Sequence, residues 1–167
     1  MLLISTDNNT MTIELINICS EQSHVFIGKL LDLTKEMHVS CQKNDFDSLN
    51  TLLNARSDYM QRIDKCSHLI DEIVSKLSQT EQATILDVIS GTFTQNTCPK
   101  QYSTFLSVQN KSNSDLSEIQ HLNQQISHFI QERQKELISL INKKKPSKFY
   151  TNTLQEGVPN ERISSNR

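Results

Sequence analysis

Apolar side chains recur at alternating steps of three and four along much of this chain. The clearest run is Leu49, Leu52, Tyr59, Ile63, Cys66, Ile70, Ile73 and Leu77, with Arg56 in register between Leu52 and Tyr59. Such steps keep side chains on one face of a helix, whereas a half-buried strand needs steps of two. The stripe therefore predicts a helix that opens after a break and cap at Asn44 and Asp45 and runs to about Leu77. A seam this regular calls for a partner helix.

The flanking segments read the same way. Upstream, Ile13, Ile16, Ile27, Leu30, Met37 and Cys41 mark a helix beginning after Asn8 or Asn9 and ending near Gln42. Ser20, Ser23 and His24 interrupt its stripe, and Gly28 costs about 1 kcal/mol of helix propensity relative to Ala, so a bend or loose packing is expected there. Downstream, Ser78-Gln79-Thr80-Glu81 has the spacing of a capping box. Ile85, Leu86 and Ile89 then give a short helix an apolar face, and Gly91 stops it. Residues 92–98 read as a connector.

Pro99 suits the first turn of a last helix, which Phe105, Val108, Leu116, Ile119, Leu122, Ile126, Phe129, Ile130, Arg133, Leu137, Leu140 and Ile141 carry to Lys143. Asn and Ser cluster at 110–114, and a break is expected there. After Lys143-Lys144-Lys145-Pro146 the composition turns to Ser, Asn, Thr and Gly. The pattern thus predicts an all-α chain: an elongated antiparallel helical bundle of three long helices plus one short helix over 11–145. A flexible N-terminus (1–10) and a flexible, disordered C-terminal tail (146–167) flank it.

Composition narrows the function classes. Only 3 Gly, 3 Pro and no Trp occur in 167 residues, too few for a turn-rich sheet protein. A net charge of −2 recruits neither nucleic acid nor an anionic membrane. No apolar run approaches the ~18 residues of a membrane span. The opening Met-Leu-Leu-Ile-Ser lacks the basic segment of a secretion signal, and Met11 is an alternative start. Cys19, Cys41, Cys66 and Cys98 form no C-x-x-C pair and read as reduced, structural thiols of a cytosolic protein.

Nothing in the motif content points to catalysis or to a cofactor. There is no phosphate loop, nucleophile elbow, H-E-x-x-H or dinucleotide fingerprint. Glu118 precedes His121 by three, and His128 follows on the same face, but no second E-x-x-H supplies the other half of a metal bundle, so metal ligation is not expected. The lysines at 143–145 sit where a helix C-terminus favours cations. Arg56 and Arg133 occupy stripe positions, their stems covering apolar neighbours while the guanidinium reaches water, a carboxylate, a facing helix or a partner protein. Leu15, Ile18, Phe26 and Leu33 add a second apolar line to the first helix, and Ile130, Leu137 and Ile141 widen the last. This excess fits either a fuller core or a groove for an amphipathic helix of another protein.

The opening D-F-D-S-L at 45–49 with Leu52 and Arg56, followed by Y-M-Q-R-I at 59–63, resembles the D-W-D-x-L … L-x-x-x-R region of bacterial flagellar export chaperones of the FliT/FlgN-like group. I-S-H-F-I-Q-E-R-Q-K-E-L-I-S-L-I at 126–141, with a lysine-rich exit and Tyr150, is similar to that group's final core helix and trailing tyrosine segment. The resemblance covers roughly 13–77 and 116–150. Phe46 stands where Trp is common, and Thr151 where Gly often follows the tyrosine.

The resemblance implies a non-enzymatic chaperone of the bacterial cytosol. It would bind the C-terminal helical segment of a flagellar hook-associated or filament-cap protein, prevent premature assembly and deliver it to the type III export gate, with the export ATPase as a further contact. It maps the client surface onto Leu122, Ile126, Phe129, Ile130 and Leu137 and the gate contact onto Tyr150. The rival readings are a structural or regulatory bundle that forms a homodimer through the second-helix seam and, less in keeping with the motifs, a metal-dependent helical enzyme.

Overall fold

The computed structural model describes the backbone of residues 4–144 and the side chains of residues 10–143. The described residues form helices and their connectors: α1 is Ile4–Gln42, α2 is Phe46–Val74, α3 is Gln79–Ile89 and α4 is Ser103–Lys144, the last preceded by a 3₁₀ turn at Lys100–Tyr102. No strand occurs among the described residues. Two compact units are distinguished, Met1–Ile130 and Gln131–Arg167, and α4 contributes residues to both.

Two sharp stops divide the helices. Asn44 takes the left-handed conformation (φ 57°) that polar Asn tolerates better than other side chains. Its N–H donates to the Cys41 carbonyl (3.1 Å) and the Asp45 N–H to that of Ser40 (2.9 Å), so the last carbonyls of α1 are satisfied as in a Schellman motif. Asp45 then caps α2 by accepting from the Ser48 N–H at 3.0 Å and the Ser48 hydroxyl at 2.6 Å. The second stop repeats the logic: Gly91 sits at φ 76°, its N–H donating to Val88 (3.2 Å) and that of Thr92 to Asp87 (3.0 Å). The capping box at Ser78 and Glu81 starts α3 as its spacing predicts.

Burial organises Met1–Ile130 into three apolar clusters. The first joins Ile13 and Ile16 of α1 to Ile85 and Val88 of α3 and to Tyr102, Phe105 and Leu106, with Ile73, Val74 and Leu77 packed against it. In the second, Ile27, Leu30 and Leu31 meet Ile119, with Ile63 and Leu122 alongside. The third gathers Met37, Cys41, Leu49 and Ile126, flanked by Leu52, Phe129 and Ile130. Residue numbers rise together along α1 and α4 and fall along α2, so α2 runs antiparallel to both and α3 lies at the end where α2 hands over to α4. The second-helix seam therefore finds its partners within the chain.

Some boundaries differ from the sequence reading. α1 begins at Ile4, ahead of Asn8 and Asn9, because a helix once nucleated extends at little further cost. α4 shows no break at 110–114. Ser112 is buried with its hydroxyl 3.3 Å from His24 Nδ1, which takes it away from its own backbone, while Asn110, Asn113 and Ser114 face solvent. Tail residues 145–167 and the side chains of 1–9 lie outside the described residues.

A Cβ built on Gly28 meets nothing within 4 Å, so Gly28→Ala should raise unfolding stability by about 0.5–1 kcal/mol in denaturant titrations. The hydrogen bonds from the Ser48 hydroxyl and amide hold the Asp45 carboxyl below its ordinary 3.8. Its stabilising effect is therefore complete above 3.8 and is lost as pH falls through the lowered native value. Asp45→Asn, which keeps an acceptor but cannot titrate, should flatten that part of the acid-side stability curve.

Candidate functional site

Where the α1 stripe turns polar, the helices build a mixed layer between the first and second clusters. Ser20 and Ser112 are buried there, and His24 Nδ1 lies 3.3 Å from Ser112 Oγ and 3.8 Å from Asp115 Oδ2. A cavity of about 260 Å³ opens beside it, with the hydroxyl-bearing Ser20, Ser23, Ser67 and Ser112 facing apolar walls that include Ile63 and Phe105. Of the bend or loose packing expected here, the loose packing is seen, as a polar, incompletely filled layer.

The two stripe arginines have different fates. Arg56 donates through Nη1 to Asn123 Oδ1 on α4 at 2.7 Å, and burial pushes its guanidinium below the ordinary value. It thus joins α2 to a facing helix. Arg133 pairs with Glu136 on its own helix at 2.6 Å, both partners largely exposed. Such a surface pair adds on the order of 0–1 kcal/mol. Arg62, which stripe spacing passes over, places its guanidinium 5.7 Å from the Phe26 ring and 5.6 Å from the Tyr59 ring. The rings themselves lie 6.2 Å apart, so Phe26 of the second apolar line on α1 is covered by α2, whereas Leu15 and Ile18 stay exposed.

The predicted client residues separate sharply. Ile126 is only 6% exposed and belongs to the third cluster; Phe129 and Ile130 pack against that cluster, and Leu122 packs against the second. These four are core positions of the chain, because α4 needs them to cover α1 and α2. Leu137 differs, being 54% exposed, and Ile138, Leu140 and Ile141 accompany it with comparable exposure. Every residue from 131 to 143 is exposed, and at 3.6 residues per turn the four apolar ones share an arc of roughly 160°. Ile138 precedes Ile141 by three but adjoins Leu137 and stands outside the predicted stripe. Tyr150 lies outside the described residues.

Other candidates are spoken for or open. Glu118 bonds Lys35 of α1 at 2.9 Å, an interaction that raises the lysine pKa, and His121 Nε2 lies 3.0 Å from Gln125 Nε2. Among the described residues no group of three His, Cys, Asp or Glu could hold a metal ion, and no helix is long and apolar enough to cross a membrane. An open groove of about 680 Å³ lies where the end of α1 meets the start of α2, with Val39 and Leu52 beside Lys35, Glu36 and Asp47. Comparison of the chain with protein-family models, curated proteins and solved structures gave no match in any of the three.

The separation of buried from exposed positions is testable by truncation. Ile126→Ala should cost about 2–5 kcal/mol of unfolding free energy, the range for a buried branched side chain, whereas Leu137→Ala should stay within about 0.5 kcal/mol. Chemical denaturation of both variants checks the contrast.

Proposed function

We propose that this protein is a cytoplasmic export chaperone that binds the C-terminal helical segment of a flagellar hook-associated or filament-cap subunit and passes it to the type III export gate. The observation that carries the reading is the apolar face of Leu137, Ile138, Leu140 and Ile141 on the last stretch of α4. A contiguous apolar face on a helix marks an interaction surface more often than chance exposure does. An unassembled filament subunit presents an amphipathic helix of its own, and pairing the two faces removes both from water. The sequence resemblance at 45–63 and 126–150 supplies the client class. Of the residues that the resemblance maps to the client, Leu137 remains on this surface, and Ile138, Leu140 and Ile141 join it.

A second reading draws on the same face. Leu137, Ile138 and Ile141 could equally pair with those of a second copy, as in a self-associating regulatory bundle. Sedimentation equilibrium separates the two readings: a chaperone awaiting its client is expected to be monomeric at micromolar concentration, a self-associating bundle dimeric.

The decisive experiment is calorimetric titration with a peptide spanning the client's C-terminal helix. Replacing Ile138 and Ile141 together by Asp should weaken binding at least tenfold, since each buried side chain is worth about 1.5–3 kcal/mol. The helical circular dichroism and unfolding midpoint should be unchanged. Unaltered affinity in a folded variant would overturn the assignment of this face. Tyr150→Ala should leave peptide binding intact and weaken binding to the gate's cytoplasmic domain.

A further inference from the structure

We propose that Cys19 of α1 and Cys66 of α2 form a dithiol pair that closes into an intramolecular disulfide when the protein meets a low-molecular-weight disulfide such as oxidised glutathione. The inference is independent of the export reading. α1 and α2 run antiparallel, and Phe26 faces Tyr59 with ring centroids 6.2 Å apart. Stepping back seven residues on α1 and forward seven on α2, two helical turns or about 10.5 Å on each, leads from that pair to Cys19 and Cys66. The clusters bracket the same level, since the one that holds Ile16 takes in Ile73 on one side of it, and the one that holds Ile27 takes in Ile63 on the other.

A second observation agrees with the placement. The Cys66 thiol is pushed up first by burial and then by the charge that Cys19 would carry, an interaction that fades beyond about 10 Å. All four cysteines are free thiols. The side chains around this level are small, with Ser20 and Ser23 on α1 and Ser67 on α2 lining the adjoining cavity. Small side chains let two helices approach, and a disulfide needs Cα atoms within about 7 Å.

The chemistry balances as two thiol–disulfide exchanges. The partly exposed Cys19, as its thiolate, attacks one sulfur of the small disulfide, forming a mixed disulfide and releasing one thiolate. The Cys66 thiolate then attacks the Cys19 sulfur, forming the protein disulfide and releasing the second. Two protein thiols are oxidised and one small disulfide is reduced to two thiols. Because burial raises the Cys66 pKa, the second step should quicken as pH rises and more thiolate is present. The closed bond lies beside the cavity of the polar layer and ties α1 to α2 across it.

The test treats the full chain with excess oxidised glutathione, digests it without reductant and identifies linked peptides by mass spectrometry. The expected product is a Cys19–Cys66 peptide from monomeric protein, formed faster at alkaline than at neutral pH, with a rise of roughly 5–15 °C in thermal midpoint. Cys19→Ser should abolish both the link and the rise, while a variant with Cys41 and Cys98 replaced by Ser should keep them. Glutathione retained on Cys19 with no internal link at alkaline pH, or a link only between two chains, would overturn the proposal.

Discussion

Residues 10–130 hold together because α1 offers an apolar face wide enough to serve two helices at once. Ile13 and Ile16, then Ile27, Leu30 and Leu31, then Met37 and Cys41 supply α1's share of the three clusters, and at each level α2 and α4 close over it from different sides. A narrow stripe would support only one partner. The breadth of this face explains why the parallel pair α1 and α4 can share a core with an antiparallel α2. It also gives α3 its place: the short helix fills the end of the core, where Ile85 and Val88 are almost completely buried.

The polar layer interrupts this face without breaking either helix. The Ser112 hydroxyl and the His24 imidazole meet across α4 and α1, and the space beside them, lined by Ser20, remains as the cavity. Arg56 plays a comparable role one level away by donating to Asn123. Two long helices with repetitive stripes could otherwise slide by a heptad at small cost. Specific polar pairs at single levels oppose that slippage, as buried polar positions do in coiled coils.

The helices were largely legible in the sequence, since stops at Asn44 and Gly91 and the box at Ser78–Glu81 rest on local chemistry that needs no tertiary partner. The continuity of α4 through 110–114 was not, because Ser112 abandons its own backbone only when His24 stands opposite. The candidate surface was half legible for a related reason. Leu122, Ile126, Phe129, Ile130 and Leu137 belong to one periodic stripe, and periodicity identifies a face without saying which stretch of it the chain itself covers. Ile138 sits beside that stripe, and its exposure rather than its spacing marks it as part of the surface.

The bond between His24 and Ser112 joins residues 88 apart in sequence, whereas α1 and α2 are linked by the tight turn at Asn44. Contact order thus differs greatly between the two sides of α1. Closing the α1–α2 hairpin costs little loop entropy, and docking α4 costs more, so the hairpin is the natural early unit of assembly and α4 the natural late one. During synthesis the first two helices leave the ribosome before their third partner exists, and the half of α1 destined for α4 is then bare. The serines and histidine in the middle of that face shorten the longest apolar run the nascent hairpin exposes, which lowers its tendency to associate with other chains while α4 is being made.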